Sequence, residues 1–418
     1  MYCMILLRAE SLQGSALRKL LDARERSKFD AVPGMTFCGD FDPLILPARL
    51  QLTRRLRKDG QGELALFRCE TRSRDDIKLF SERFPSADAH SFVDMPIEAC
   101  PPCSNSGAAI GTHADVARLL GLDALRQAGV TGKGVRLAIV DGGIDGTLVP
   151  VAGGYCHDSP ATFVPGTTRR SHGSMVAFDA RIAAPDSRLL DYCMLTPNNA
   201  HKLVWLADAA KHFVELLKLL LDKPGSLVIN NSWSVYDRSD DLPMGDPAAY
   251  CDNPNHIINQ LVQDLAAEGA DVLFAAGNCG EHAPDARCGA TDRGPGKSIH
   301  GANSHPMVTT VAAINTRLER VCCSSEGPGM LATAKPDLCG YAGFAGSNAM
   351  GGPDSGTSAA CAVVAGLVAA LRQVDSTINP GQLRQILTAT CDPVPGMGFD
   401  GVGHGVVNAE SAFAALKP

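Results

Sequence analysis

The sequence predicts an α/β protein in which a doubly wound, mostly parallel sheet follows a small α+β domain of ferredoxin-like strand order. The chain has 418 residues, of which 45% are hydrophobic and 20% are charged. These values are typical of a globular protein with two or three domains. From residue 135 onward, apolar runs alternate with helical patterns, as in parallel strands that are covered on both faces. Residues 1–98 instead contain four strand-like runs, and their order predicts a separate domain.

The small domain is predicted to end in a stretch without periodicity. Its expected elements are strands at 2–9, 35–41, 63–70 and 90–98 and helices at 15–28 and 73–84. Pro, Gly, Ser and Ala dominate the following residues, 99–112, which is typical of a domain boundary. The expected organisation is a small domain at 1–105, a linker and lead-in at 106–130, and a larger domain at 131–418.

The larger domain alternates strand and helix patterns. The expected strands are VRLAIV, SRLLDYCML, SLVINN, DVLFAA and MVTTVAAI, and the expected helices are 172–182, 199–222 and 254–268. In open sheets of this kind, functional side chains collect where the strands end at their carboxyl edges. The residues that follow each strand are therefore the candidates for a functional site.

Charge and hydropathy argue against nucleic-acid binding and against a membrane span. The 38 Lys and Arg against 45 Asp and Glu give a net charge of −7, which disfavours a surface that neutralises phosphates or anionic lipid. The longest apolar run, 359–371, has 13 residues, whereas a membrane span needs about 20. We therefore expect no nucleic-acid partner and no membrane segment.

The cysteines and the amino terminus suggest a cytoplasmic protein. The 15 cysteines are scattered without a repeated short spacing, so we expect them to be reduced. The first residues lack the pattern of a signal peptide. Cys100 and Cys103 have the spacing of half a metal site, but no second pair completes it, so a Pro-rich linker is the favoured interpretation. We expect no metal and no cofactor.

Four polar residues stand at chemically suggestive positions. Asp141 ends the strand VRLAIV, His172 opens a helical pattern, Asn278 follows the strand DVLFAA, and Ser358 lies at the start of a long apolar helix. Each alone would be explained as a turn, a cap or a structural residue. Together they offer a hydroxyl nucleophile, an imidazole base, a carboxylate that orients it, and an amide donor for an oxyanion.

This ordered set resembles the subtilisin-like serine proteases, the subtilase family, over about residues 113–413. The segments that carry the resemblance include IVDGGID, HGSMVA, INNSW, FAAGNCG, AKPDL and SGTSAA. The resemblance implies a subtilisin-like fold. It also implies that Asp141 orients the imidazole, His172 moves the proton and Ser358 attacks the carbonyl, while Asn278 and the Ser358 N–H stabilise the oxyanion. His172 and Asn278 disfavour the related sedolisins, which use acidic residues there.

The resemblance also implies a peptide-binding edge that holds substrate in extended form. The residues expected to bind substrate are Ser232, Trp233, Ser234, Val235, Ala276 and Gly277. The family usually has two glycines where this chain has Ser234 and Val235, so a reshaped pocket is expected. The loop 236–255 carries five Asp and one Arg, which indicates either a bias toward basic substrates or a solvated polar loop. A loop that often helps to bind calcium in relatives is expected to be short, so no metal site is assigned.

The function implied by the resemblance is a serine endopeptidase that acts through an acyl-enzyme on a peptide or protein substrate. Residues 1–105 stand where subtilases carry a propeptide. We expect this domain to be the intramolecular partner of the catalytic domain, to block its cleft, and to be cut within 99–112, unless it is a permanent recognition domain. Two alternatives remain: a peptide ligase or cyclase using the same acyl-enzyme, and a non-catalytic peptide-binding protein.

Overall fold

The elements follow in chain order in a computed structural model, which describes residues 1–8, 22, 32–47, 64–83, 90–100, 107–195 and 203–417. The strands are β1 (Tyr2–Arg8), β2 (Met35–Phe37), β3 (Leu44–Leu46), β4 (Leu64–Thr71), β5 (His90–Val93), β6 (Pro96–Ala99), β7 (Arg136–Asp141), β8 (Gly153–Tyr155), β9 (Arg188–Cys193), β10 (Val204–Trp205), β11 (Leu227–Asn231), β12 (Trp233–Ser234), β13 (Asp271–Ala275), β14 (Thr309–Ile314) and β15 (Leu338–Tyr341). The helices are α1 (Arg74–Arg83), α2 (His113–Leu119), α3 (Leu122–Gln127), α4 (His172–Ala180), α5 (Leu206–Asp222), α6 (Ile257–Ala267), α7 (Gly356–Val374), α8 (Pro380–Ala389), α9 (Phe399–Val402) and α10 (Ala409–Leu416).

The larger domain is built on a seven-stranded sheet of order β15-β14-β13-β11-β7-β9-β8. Neighbouring strands are parallel throughout. The five predicted strands of this domain are present. The sequence patterns did not predict β8 and β15, because GGY and LCGY are too short and too rich in glycine to show a strand period.

Helices cover both faces of this sheet, as predicted for a doubly wound fold. Along β7 the side chains alternate between two hydrophobic cores. Leu137 and Ile139 pack in the core that contains α4 and α7, whereas Ala138 and Val140 pack in the core that contains α5 and α6. Burial on both faces explains why the strands are apolar throughout instead of alternating.

Helix α7 is the buried centre of the first core. Its 19 residues are long and apolar enough to cross a membrane, although the uninterrupted apolar run within it is shorter. The structure buries 89% of the apolar window inside the protein. Packing in the core therefore accounts for the composition of this helix.

The lead-in predicted as a linker at 106–130 is partly helical. Helices α2 and α3 lie in this range, and Val116, Leu122 and Leu125 are buried in the same core as α7. Thr112 caps α2 by a reciprocal capping box with Asp115.

The small domain has an antiparallel sheet of order β2-β4-β1-β5, and β3 also pairs with β4. The predicted strands at its start are present, and the predicted helix 73–84 is α1. The predicted helix at 15–28 lies outside the described residues except for position 22. β3 was missed by sequence reasoning.

The predicted single strand at 90–98 is wrong, because the chain changes sheets in its middle. β5 pairs with β1, whereas β6 pairs with β10 and β12 of the larger domain. At the junction the Asp94 carboxylate accepts the Ala207 N–H at 3.0 Å and pairs with Arg68 at 2.7 Å. β6 therefore carries the end of the small domain onto the larger one.

The two parts of the chain also share a hydrophobic core. Met4 and Leu6 of β1 and Phe92 of β5 belong to the core that contains α5 and α6. Val93 is held at both its polar groups, since its N–H donates to the Ala248 carbonyl and its carbonyl accepts from His256. This packing fixes the position of β6 relative to the large sheet.

Candidate active site

Asp141 lies at the carboxyl end of β7, where the fold predicts functional side chains. It is fully buried, and its two carboxylate oxygens lie 2.8 and 2.9 Å from Nδ1 of His172. The following residue, Gly142, donates its N–H to the same carboxylate at 2.6 Å. These contacts leave the carboxylate little freedom to rotate away from the imidazole.

His172 is the first residue of α4 and is fixed by the way that helix begins. Ser171 caps the helix through a reciprocal capping box with Ser174 and also donates to the Gly143 carbonyl at 2.6 Å. The helix presses against the same loop at Gly173, where a Cβ atom would lie 2.5 Å from that carbonyl oxygen. A glycine is therefore required at 173 to bring the imidazole onto Asp141.

The pKa of His172 is raised in this environment. Burial alone would lower it, but the negative charge and hydrogen bond of Asp141 outweigh burial, and the carbonyl of Cys100 adds to the rise. Nε2 lies 3.0 Å from that carbonyl oxygen, which can only accept a hydrogen bond. With acceptors at both nitrogens, this arrangement favours the doubly protonated imidazole.

Ser358 is the third residue of α7, and its hydroxyl donates to the Cys100 carbonyl oxygen at 2.5 Å. The same oxygen thus bridges Ser358 and His172. The Ser358 side chain is fully buried in the presence of residues 98–100, the docked segment. The structure therefore brings Asp141, His172 and Ser358 together around one carbonyl group, although they are far apart in the sequence.

Asn278 lies beside Ser358, and its amide is oriented by Thr357. Its Oδ1 accepts from the Thr357 N–H at 3.1 Å and from the Thr357 hydroxyl at 3.0 Å. That hydroxyl in turn accepts the Gly277 N–H at 3.1 Å. Because Oδ1 accepts two hydrogen bonds here, the amide is fixed with its NH₂ on the opposite edge, which is the orientation that a donor to an oxyanion needs.

The predicted peptide-binding edge is occupied by the chain's own β6. Trp233 pairs with Ala99 and Ser234 with Glu98 in antiparallel register, and the Cys100 N–H donates to a further edge residue, Ser232, at 2.9 Å.

Trp233 contributes to the peptide-binding edge through its backbone, which pairs with Ala99. Its side chain is fully buried and packs against Phe213 and Phe274. Val235 is also buried. Gly277 was predicted to bind substrate. In the structure its carbonyl accepts the Ser325 N–H and its own N–H donates to the Thr357 hydroxyl, so both of its backbone groups bond other residues of the protein. Ala276 is buried and donates its N–H to β14.

Sequence reasoning missed Arg287 and the exact docking of Cys100. Arg287 Nη1 donates to the Glu98 carboxylate at 2.8 Å and to the Ala99 carbonyl at 3.1 Å. Burial raises the pKa of the Cys100 thiol to about 12, so this side chain is neutral where it packs near Tyr236. The signals available were a cysteine just before the Pro-rich stretch and an arginine in the loop after Asn278.

The acidic loop at 236–255 uses its carboxylates to fold itself. Asp241 accepts three backbone N–H groups of the loop, and Asp237, Asp246 and Asp252 accept one each. These contacts explain four of the five carboxylates without a basic substrate. The charged contact to the docked segment is opposite to the one expected for a basic substrate. There the catalytic domain supplies the cation, Arg287, and the docked segment supplies the acidic residue, Glu98.

The structure contains a disulfide near the site, and its metal-ligand groups can be compared with the sequence-based expectations. Cys279 and Cys288 form a disulfide, so the expectation that the cysteines are reduced is wrong for this pair. The cytoplasmic location, which relied partly on the cysteines, stays a prediction. Within the described ranges, no group of three or more His, Cys, Asp or Glu side chains could hold a metal ion.

Comparison with known proteins identifies related chains. A family model described as the Subtilase family matches residues 132–405. Mycosin-1 of Mycolicibacterium smegmatis is 28% identical over 329 residues, which cover 68% of this chain and 69% of that protein. Subtilisin E of Bacillus subtilis is 27% identical over 300 residues, which cover 69% and 68%. The membrane-bound transcription factor site-1 protease of Homo sapiens is 28% identical over 327 residues. That match covers 72% of this chain but only 27% of the relative's length.

Solved structures support the fold. MycP1 from the ESX-1 type VII secretion system aligns with a TM-score of 0.52 and 21% identity, over 76% of this chain and 91% of that one. Fervidolysin from Fervidobacterium pennivorans, a keratinolytic enzyme related to subtilisin, aligns with a TM-score of 0.61 and 17% identity, over 100% of this chain and 61% of that one. At these identities the likeness confirms the predicted subtilisin-like fold.

Proposed function

This chain belongs to the subtilase family, and on that premise we propose that it is a serine endopeptidase with Asp141, His172 and Ser358 as its catalytic triad. One observation supports the assignment most strongly. A peptide carbonyl oxygen lies within hydrogen-bond distance of both the Ser358 hydroxyl and His172 Nε2, while Asp141 holds Nδ1. A substrate carbonyl docked on this edge meets the nucleophile and the base together.

The proposed reaction follows from these positions. Ser358 Oγ bonds to the substrate carbonyl carbon as its proton passes to Nε2 of a neutral His172. The imidazolium then gives that proton to the leaving nitrogen as the C–N bond breaks, which leaves an acyl ester on Ser358. Water attacks this ester with the same base, and the new carboxylic acid departs. Asp141 keeps Nδ1–H bonded and stabilises the imidazolium throughout.

The oxyanion that forms in both steps needs donors already in place. We assign this role to the NH₂ of Asn278 and to the backbone N–H of Ser358. Ser358 lies in the first turn of α7, a helix of 19 residues, where N–H groups and the positive end of the helix dipole favour negative charge. Such donors act strongly because Ser358 and Asn278 are buried and are already oriented before the reaction.

The small domain acts, in this proposal, as an intramolecular occupant of the cleft that the enzyme can process. The next residue after Cys100 is Pro101, so the bond that would be cut is a tertiary amide whose nitrogen carries no hydrogen. The Ser358 hydroxyl donates to the carbonyl oxygen and not to Nε2, and the surroundings of His172 favour its protonated form, so the base is not set to accept the Ser358 proton. We therefore expect cleavage after Cys100 to be slow.

Intact mass measures self-processing directly. Wild type should yield fragments 1–100 and 101–418 slowly, Pro101→Ala should accelerate the cut, and Ser358→Ala should stay whole. A single uncut species in all three chains would end the self-processing proposal. It would leave the small domain as a permanent inhibitor or recognition domain.

Peptide hydrolysis tests the triad itself. Ser358→Ala and His172→Ala should abolish measurable turnover, and Asp141→Asn should lower kcat by about 10⁴ through the wrong imidazole tautomer. Equal activity in Ser358→Ala would refute the assignment. Product masses with an added amine acceptor distinguish hydrolysis from ligation. Inactivity of both the wild type and the Pro101→Ala chain on every peptide would favour a peptide-binding protein.

A further inference from the structure

Residues 98–100 define a register in which the substrate positions of this enzyme can be assigned. Cys100 supplies the carbonyl group at Ser358, so Ala99 and Glu98 stand one and two residues before it. Their backbones pair with β12 as a bound peptide does. A side chain that contacts this segment is therefore positioned to contact a substrate.

Arg287 contacts both the main chain and a side chain of this segment. One nitrogen, Nη1, donates to the Ala99 carbonyl at 3.1 Å and to the Glu98 carboxylate at 2.8 Å. The first bond is available to any peptide in this register. The second requires an acidic residue at the Glu98 position.

The guanidinium is held in place by the catalytic domain. Asp285 accepts from Nε at 2.9 Å and from Nη2 at 3.2 Å, so these two nitrogens are already occupied. The group also stacks over the Tyr236 ring with a separation of 4.0 Å. The neighbouring Cys288 is fixed by its disulfide to Cys279, the residue after Asn278. A fixed arginine loses little conformational freedom when a peptide binds.

From this geometry we propose that Arg287 is a specificity-determining residue that selects substrates with Glu or Asp at the Glu98 position. The inference rests on the proposed protease function and names its substrate class. The Asp285 partner balances the charge of Arg287, while Nη1 still presents donors to the peptide. A lysine at the Glu98 position would meet those donors without an acceptor.

The size of the preference follows from exposure. The Arg287 and Glu98 side chains are 29% and 44% exposed, so solvent screens their attraction. Pairs of this kind contribute little, and we expect kcat/KM for a Glu peptide to exceed that for its Gln counterpart by about five-fold. The Lys peptide should be the poorest of the three.

The test compares fluorogenic peptides with the sequence of residues 95–100 and Glu, Gln or Lys at the Glu98 position. Ratios of kcat/KM are measured on the full chain, because any fraction of enzyme blocked by its own segment cancels in a ratio. Arg287→Ala should bring the Glu to Gln ratio to about one while slowing all three peptides. Arg293→Ala removes a charge from the same loop, where Arg293 bonds only the Cys288 carbonyl among the contacts described, and should keep the wild-type ratio.

A wild type without preference, or a preference that survives in Arg287→Ala, would overturn the inference and leave the protease proposal intact. If no peptide is cleaved even by the Pro101→Ala chain, whose cleft should be freed by faster self-processing, the protease proposal fails. Hydrogen exchange in the Ser358→Ala chain then tests the contact between Arg287 and Glu98 by itself. There, Arg287→Ala and Glu98→Gln should each speed exchange of the Cys100 amide. The double variant should add little to Arg287→Ala, and full additivity would show that the two side chains are not coupled.

Discussion

The contact between α4 and α7 predicts that Gly366→Ala will damage both stability and catalysis. A Cβ atom at 366 would lie 2.0 Å from the carbonyl oxygen of Ala180 and 2.9 Å from its carbon. Side-chain Cβ atoms are essentially never found within 3.0 Å of such atoms, so the two helices must separate by at least about 1 Å. The obstacle is backbone and cannot swing aside.

Two opposing effects determine how much Gly366→Ala changes the free energy of unfolding. Overpacking of a tight core costs about 1–3 kcal/mol, and the clash with a buried carbonyl favours the upper end of that range. Alanine is a better helix former than glycine by about 1 kcal/mol. Overpacking should win, which leaves Gly366→Ala about 1–2 kcal/mol less stable than wild type and lowers Tm by a few degrees.

The catalytic effect follows from where the helices start. Ser358 lies two turns before Gly366 on α7, and His172 lies two turns before Ala180 on α4. Separation at the crossing therefore changes the distance between Ser358 and His172, the proposed nucleophile and base, and a misplacement of 1 Å can cost about 10²-fold in rate.

Denaturant unfolding and kcat/KM, measured well below Tm, check both expectations. Gly352→Ala is the matched control, since no atom lies within 4 Å of the added Cβ. A Gly366→Ala chain as stable and as active as wild type would refute the packing argument.

Four further perturbations, three substitutions and a change of pH, have defined outcomes. Asn278→Ala should lower kcat by about 10²–10³ with little change in KM, a magnitude taken from the related enzyme subtilisin, and a pure KM effect would contradict its oxyanion role. Because the pKa of His172 is raised, kcat/KM should rise with pH through a midpoint above about 6.5, and Asp141→Asn should move that midpoint down. The stability that His172 contributes is complete below its unfolded pKa and should be lost as pH rises through the raised folded value, which urea titrations at several pH values can follow. Arg372→Ala should cost about 3–5 kcal/mol in urea unfolding, because it leaves Asp271 buried without the bidentate partner that now binds it.

Sequence patterns predicted the features of the fold and site that depend on neighbouring residues in the chain. Apolar runs such as 137–140 show no alternation of polar and apolar residues, which indicates burial on both faces, so the parallel sheet could be predicted. Asp141, His172, Asn278 and Ser358 each stand at the end of a strand or the start of a helix, and their order could be compared with a family.

Sequence patterns did not predict the features that arise from contacts between segments far apart in the chain. Pro96 interrupts the run at 90–98, but it does not show that the chain leaves one sheet for another at Asp94, because the partners of β6 lie more than a hundred residues away. The same distance hides the pairing of Arg287 with Glu98. The disulfide of Cys279 with Cys288 closes a loop of ordinary composition, so spacing alone did not reveal it.

Covalent labelling with a fluorophosphonate, followed by mapping of the modified peptide, tests the catalytic centre most directly. The account predicts one adduct, on Ser358, whose formation is strongly slowed in His172→Ala and in Asp141→Asn chains that remain folded. Labelling of a different serine, or labelling of Ser358 at the wild-type rate without His172, would contradict it.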